Sequence, residues 1–199
     1  MTEQRAPCHV TDGNLRIRPL RDMGSDYLLL AGWLSDHRVL AWYQGRDHPF
    51  DLPRARAEIG PIARCETEVN GCIIERASQP IGYLQFYPVL DTDEYALESV
   101  EGALGLDLFL GDPELWGRGI GTRAIRLVMG ALFERPRVRR LLIDPHVENL
   151  RAIRAYEKCG FRKVKVLPAH ELHEGEYRDC WLMDAHPDGT GDSSEGKAC

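Results

Sequence analysis

Residues 106–124 read LDLFLGDPELWGRGIGTRA. The stretch opens as an apolar run around one acid, Leu106-Asp107-Leu108-Phe109-Leu110, which at that length is expected to be a buried strand. Gly111-Asp112-Pro113 breaks it. Trp116-Gly117-Arg118-Gly119-Ile120-Gly121-Thr122 then leads into a periodic segment, residues 124–133, expected to be helical. Strand, glycine-rich turn, then helix turns several backbone N–H groups toward an anion at a helix N-terminus. Glycines suit the turn because a Cβ would take the space of the approaching ligand. A pyrophosphate is the expected anion. Spacing excludes two better-known glycine signatures: no Lys follows Gly121 as a P-loop requires, and no Gly-x-Gly-x-x-Gly is present.

The 199 residues are 43% hydrophobic, enough for one substantial core. A single domain is therefore expected over 12–185, with a flexible arm at 1–11 and a disordered, low-complexity tail at 186–199. No apolar run approaches the roughly 18 residues that cross a bilayer, and the polar opening MTEQRAPCHVTDGN is not a signal peptide. These features point to a soluble cytoplasmic protein without a membrane or nucleic-acid partner, monomeric or homodimeric. The six cysteines are scattered and form no Cys-x-x-Cys pair, as reduced structural thiols would be.

Charge is unevenly spread. Residues 77–117 contain no Lys or Arg but hold eight acids: Asp91, Asp93, Glu94, Glu98, Glu101, Asp107, Asp112 and Glu114. Residues 118–163 reverse this, with twelve basic residues against Glu134, Asp144, Glu148 and Glu157. One part of the molecule suits a cationic ligand and the adjacent part a polyanion.

Outward from the glycine turn, residues 15–18 alternate and are expected to form an edge strand ending at Pro19. Asp22 is expected to cap a helix to about Ser35, with Tyr27, Leu28, Leu30, Ala31 and Leu34 inward. Residues 37–50 are loop-like and aromatic, core or lid, and Leu52-Pro53 begins a second helix. Strands follow at 72–75 and 80–87, then an acidic loop at 91–101. Beyond the glycine turn come a strand at 139–144 and a helix from Glu148 or Asn149 to Lys158, stopped by Gly160. An antiparallel pair, 161–167 and 177–183, flanks a loop around His170–Gly175. His170-x-x-His173 lacks a completing ligand set at a recognised spacing, so no metal is expected.

Residues 106–133, with Ile143-Asp144-Pro145 and the segment Glu148-Asn149-Leu150-Arg151-Ala152-Ile153-Arg154-Ala155-Tyr156-Glu157-Lys158-Cys159-Gly160-Phe161, resemble the GNAT superfamily of N-acetyltransferases. Within it, Trp33-Leu34, His37, Trp42-Tyr43, Pro80-Ile81-Gly82-Tyr83, Gln85, Gly105-Leu106-Asp107 and Asp144-Pro145 are similar to the aminoglycoside 6'-N-acetyltransferases. The resemblance implies an α+β fold: a mostly antiparallel mixed sheet with two parallel strands that splay apart, flanked by helices. It implies acetyl-CoA as co-substrate and a polycationic aminoglycoside as acceptor, with a siderophore hydroxylamine or another small amine as the alternative. The coenzyme is then expected against Leu108, Phe109, Leu110, Trp116, Gly117, Arg118, Gly119, Ile120, Gly121, Thr122, Asn149, Ala152, Tyr156 and Lys158. The family usually carries Gln or Arg where Trp116 stands. Acceptor contacts are expected from Trp42, Tyr83, Gln85, Glu98, Glu101, Asp107, Asp144 and Glu174.

Chemistry separates the roles. An ammonium must lose its proton before it attacks a thioester, and a carboxylate beside it can accept that proton directly or through water. Asp107 interrupts an apolar strand, where a charge is costly unless it meets a ligand, and the resemblance makes it the base. Tyr156 lies one helical turn past Ala152 and Ile153 and can reach the cleft from the same side, either as a packed core tyrosine or, as the resemblance implies, as the acid that protonates the leaving thiolate. The oxyanion is expected at a backbone N–H of the splayed strand, that of Leu108. No Ser-His-Asp nucleophile is indicated, so transfer is expected to be direct.

Overall fold

The computed structural model describes residues 9–187. In chain order the elements are β1 (Val10–Asp12), β2 (Leu15–Pro19), α1 (Gly24–Trp33), α2 (His37–Leu40), α3 (Leu52–Ala63), β3 (Asn70–Arg76), β4 (Gln79–Pro88) and α4 (Thr92–Tyr95). Then follow β5 (Ala103–Leu110), α5 (Ile120–Phe133), β6 (Arg140–Ile143), α6 (Leu150–Lys158), β7 (Arg162–His173) and β8 (Glu176–Ala185). The strands form one sheet in the order β1-β2-β3-β4-β5-β6-β8-β7. Every neighbouring pair is antiparallel except β5 and β6, which are parallel.

Among the described residues, alternation along the strands sends side chains to two large cores and to a smaller third cluster around Tyr95, Leu142, Leu167 and Leu182. Cys72 and Ile74 of β3 and Leu84 and Phe86 of β4 pack with α5 and α6 through Ala124, Val128, Leu132 and Ile153. Ile73 and Tyr83 face the opposite way, onto Leu30, Leu40, Ala55 and Ile59 of the first three helices and Leu34 at the C-cap of α1. With both faces covered, the central strands read as continuous apolar runs rather than polar–apolar alternation. Ala77 and Ser78 close the β3–β4 hairpin at φ +48° and +64°, a two-residue turn whose left-handed pair matches the strand twist.

Several expectations change. Val10–Asp12 is a strand paired with β2, so β1 takes residues assigned to the arm, and β2 lies inside the sheet rather than at its edge. The rest of the expected arm, residues 1–8, and positions 188–199 of the expected tail fall outside the described residues. Met23, not Asp22, is the N-cap of α1, and Asp22 instead accepts a hydrogen bond from the Tyr27 hydroxyl at 2.5 Å. Leu28 is 58% exposed and leaves the inner face of α1. The region around His170 is no loop: β7 continues to His173, and only Glu174 and Gly175 turn the chain.

A buried ion cluster ties the N-terminal strands to α1. Arg18 is 5% exposed. Its guanidinium donates to Asp26 of α1 at 2.7 and 2.8 Å, to Glu75 of β3 at 2.6 Å and to the Pro19 carbonyl at 3.0 Å. Burial alone would raise the Glu75 pKa, but hydrogen bonds from Arg18 and Arg16 outweigh it and hold the carboxyl below its usual value. The stability this contributes is present above the ordinary carboxylate range and is lost as pH falls through the lowered value. Removing the cation would take the paired charge from the buried Asp26 and leave Glu75 to Arg16 alone. Arg18→Leu is therefore expected to cost about 3–5 kcal/mol, read as a lower urea midpoint; an unchanged midpoint would show that the cluster contributes nothing.

Candidate active site

Parallel pairing of β5 with β6 covers only Ala103↔Arg140, Leu104↔Leu141 and Gly105↔Leu142. β6 ends at Ile143, while β5 runs on to Leu110 with β4 still paired along its other edge. From Leu106 onward one edge of β5 therefore faces an opening. A cavity of about 750 Å³ occupies it.

One half of the cavity is shaped for an extended anionic ligand. Leu108, Phe109 and Leu110 form its floor, and Trp116, Gly117, Gly119, Ile120, Gly121 and Thr122 its near wall. Asn149, Ala152, Tyr156 and Lys158 line it from α6 and its cap. Gly119 is the N-cap of the 14-residue α5, at φ +74°. A Cβ at Gly119 or Gly121 would meet no protein atom within 4 Å, so the space before the helix N-terminus stays open to a ligand. Free N–H groups and the positive end of the helix dipole coincide there. Trp116, the departure from the family pattern, donates its Nε1–H to the Leu110 carbonyl at 3.0 Å. Its ring lies 3.8 Å beneath the Arg151 guanidinium, which lines the same cavity. Arg118 is exposed and stands outside the lining.

The other half is acidic. Asp107 lies opposite Gln85 in the β4–β5 register. Gln85 Nε2 donates to Asp107 Oδ2 at 2.8 Å, and the Tyr83 hydroxyl donates to Gln85 Oε1 at 3.0 Å. Gly105 lets the Tyr87 ring approach, because a Cβ there would come within 2.4 Å of that ring. Burial and then the Asp144 charge push the Asp107 pKa up to about 7, against hydrogen bonds from Gln85 and Tyr87 that lower it; Glu171 adds a smaller push. The Glu94 carboxyl is also raised, by burial and then by Asp144. His170 Nε2 lies 3.0 Å from Asp144 Oδ2, and that contact raises the imidazole pKa despite partial burial. Tyr156 is buried at the junction of the two halves. Desolvation, with Asp107 and Asp144 nearby, raises its phenol well above the usual value, so it stays protonated at neutral pH.

Trp42, Gln85, Asp107 and Asp144 all line the cavity, but four expected acceptor contacts do not. Tyr83 is buried beneath Gln85 and supports it. Glu98 and Glu101 are exposed outside the lining. Glu174 is held by Arg46, whose backbone N–H, Nε and Nη2 donate to it at 2.9, 2.5 and 2.6 Å. In their place stand Glu94, Tyr95, Tyr87, His170 and Glu171. Glu94 already counts among the acids of the Lys- and Arg-free stretch. Glu171 carries no local signal, because its role depends on β7 extending past Leu167.

These features define an acyl-coenzyme A transferase cleft, and the chain belongs to the GNAT acetyltransferases: the Acetyltransferase (GNAT) domain family matches residues 22–168. Its relatives include an aminoglycoside N(6')-acetyltransferase type 1 of Klebsiella pneumoniae, 31% identical over 140 residues, or 69% of this chain and 70% of that one. A kanamycin resistance protein of Rhizobium radiobacter is 41% identical over 66 residues, 33% of this chain and 61% of that protein. Among solved structures, aminoglycoside acetyltransferase AAC(6')-Ib in complex with ribostamycin and coenzyme A superposes with a TM-score of 0.75 at 25% identity. That match covers 93% of this chain and 100% of that one.

Gly119 tests the anionic half. Gly119→Val places a branched side chain in the ligand's space at a backbone angle that disfavours it. The coenzyme A dissociation constant is expected to rise tenfold or more, about 1.4 kcal/mol, by calorimetry on folded protein. An unchanged constant would remove the turn from the site.

Proposed function

We propose that this chain transfers the acetyl group of acetyl-CoA directly to the 6'-amine of an aminoglycoside. The observation that carries the reading is the placement of Asp107. It is a carboxylate with its pKa pushed up to about 7 by burial and by the neighbouring Asp144, on the strand edge that leads to the glycine turn. The aminoglycoside acetyltransferases that share this fold supply the acceptor class.

Acetyl-CoA supplies the thioester acyl group. The turn at 117–122 holds its pyrophosphate through backbone N–H groups, with Arg151 and Lys158 as nearby countercharge. The backbone N–H of Leu108, on the edge of β5 that β6 leaves, is placed to stabilise charge on the acyl oxygen. Glu94, Asp144 and Glu171 bind the acceptor's ammonium groups by charge-assisted hydrogen bonds and orient one amine at Asp107. Asp107 takes its proton. Gln85, braced by Tyr83, keeps that carboxylate turned into the cavity. Tyr156, protonated at neutral pH, gives a proton to the departing sulfur. An acceptor with several ammonium groups relieves the mutual repulsion of these carboxylates, whereas a neutral hydroxylamine does not.

A pH profile checks the base. Asp107 accepts a proton only when ionised, so kcat/KM is expected to rise with pH through about 7 and then level. Asp107→Asn should abolish that rise and lower turnover about a hundredfold or more, with coenzyme affinity nearly unchanged. Full turnover in the variant at neutral pH would move the base elsewhere.

The acceptor is tested by thiol release with kanamycin, tobramycin, hydroxylamines and small amines. Kanamycin and tobramycin are expected to be turned over. Asp144→Asn should raise KM for kanamycin more than it lowers kcat, because it removes binding shared by ground and transition states. Acetylation of a hydroxylamine or small amine but of neither drug would overturn the aminoglycoside reading.

A further inference from the structure

The acidic wall carries a group that acetyl transfer does not use. His173, at the end of β7, is 5% exposed, and among the described residues neither of its ring nitrogens has a hydrogen-bond partner. An unsatisfied buried polar group costs about 1–3 kcal/mol and calls for a physical cause. Its surroundings supply one. The His146 ring stands edge-on to it, with centroids 4.7 Å apart and planes at 83°. Glu171 lies between them: Oε2 is 2.8 Å from His146 Nε2, and Oε1 is 3.8 Å from His173 Nδ1. One ligand atom from each of the three falls within 4.8 Å of the others. The nearest other acid, Glu174, is 3.9 Å from His173 Nε2 and already committed to Arg46.

We propose that His146, Glu171 and His173 form a binding site for a divalent transition-metal ion, Zn²⁺ in the first instance. Two imidazoles and one carboxylate are the donor set that zinc takes when one coordination position is left open. The magnesium- and calcium-type cations are disfavoured, since they require oxygen ligands. Tetrahedral bonds of 2.0–2.2 Å put ligand atoms roughly 3.3 Å apart, so a small inward rotation of His173 completes the set. The backbone is already fixed for it. His146 bridges Cys180 of β8, Val147 N–H donates to the Asp179 carbonyl at 3.0 Å, and Glu171 and His173 pair with Arg178 and Glu176. The fourth position opens toward the cavity, because His146 and Glu171 line it while His173 does not. The bound ion joins the loop after β6, which carries Asp144, to the far end of β7, which carries His170. It is a clip on the acidic wall and takes no part in proton or acyl transfer. The site shares only Glu171 with the acceptor contacts proposed above; His146 and His173 are outside them.

The test uses the full chain, stripped with chelator, reduced, and titrated with Zn²⁺ alone against a chromophoric competitor. One equivalent is expected to bind tightly. His173→Gln and His146→Gln should each weaken binding by more than the about tenfold that loss of even an outer-shell partner costs. At a hundredfold excess over its wild-type dissociation constant, Zn²⁺ should raise the Tm of the wild type by about 5 °C or more and that of each variant by distinctly less. If His173→Gln fails to fold, the less buried His146 carries the comparison. Equal zinc affinity in the variants would place the ion elsewhere, on the thiols for example, and overturn the site. So would the absence of stoichiometric binding to the wild type. Neither result bears on acetyl transfer, which the thiol-release assay decides separately.

Discussion

Three parallel residue pairs between β5 and β6, and no fourth, are the constraint from which the rest of the site follows. Pairing ends at Gly105↔Leu142, and two residues past the last pair the chain reads Asp144-Pro145. Proline has no N–H to donate to a ladder. Its carbonyl instead accepts from Trp181 N–H at 2.9 Å, which draws the loop after β6 onto β8 and away from β5. The edge of β5 from Leu106 onward is thereby left beside a cavity, with Asp107 on its floor and Asp144 at its rim. Had the two strands stayed paired, the core would have closed over Asp107 and there would be no cleft.

The cavity then works by an imbalance that the scaffold tolerates. Asp107, Asp144, Glu94 and Glu171 are close enough to perturb one another, and burial and like charge move both Asp107 and Glu94 upward. In a purely structural region such a cluster would be paired, as Arg18 pairs Asp26 and Glu75 on the outer strands of the sheet. Here, among the described residues, His170 approaches Asp144 and His146 approaches Glu171, while the acidity of Asp107 and Glu94 is directed into the cavity. Protein stability is small enough that unrelieved repulsion of this kind is a real cost. A ligand bearing several ammonium groups removes it on binding. The opposite half is the electrostatic complement, a helix N-terminus with Arg151 held over Trp116.

Local patterns in the sequence determined a large share of the molecule. The apolar run ending in Asp-Pro, the glycine turn, the Asn149 cap and the Gly160 stop each act within a few residues, so the β5–turn–α5 unit and α6 follow from the chain alone. Asp107 was legible for the same reason: a lone carboxylate in an apolar strand is anomalous whatever surrounds it. Charge bookkeeping over residues 77–117 located the acidic half without locating its members.

Only the tertiary structure decided which acids those are. Glu98, Glu101 and Glu174 are expected acceptor contacts by sequence, yet two are exposed away from the cavity and the third is neutralised by Arg46, 128 positions earlier. Glu94 and Glu171 reach the cavity because α4 forms within the acidic loop and β7 runs on to His173, and neither extent is encoded by composition. The juxtaposition of His146 with His173 is likewise invisible to spacing rules, since it arises where the loop after β6 is pinned to β8. Strand and helix propensities are short-range and readable along a chain. The meeting of charged and ligating side chains is set by register, strand length and the point at which two strands part, and those are settled by packing.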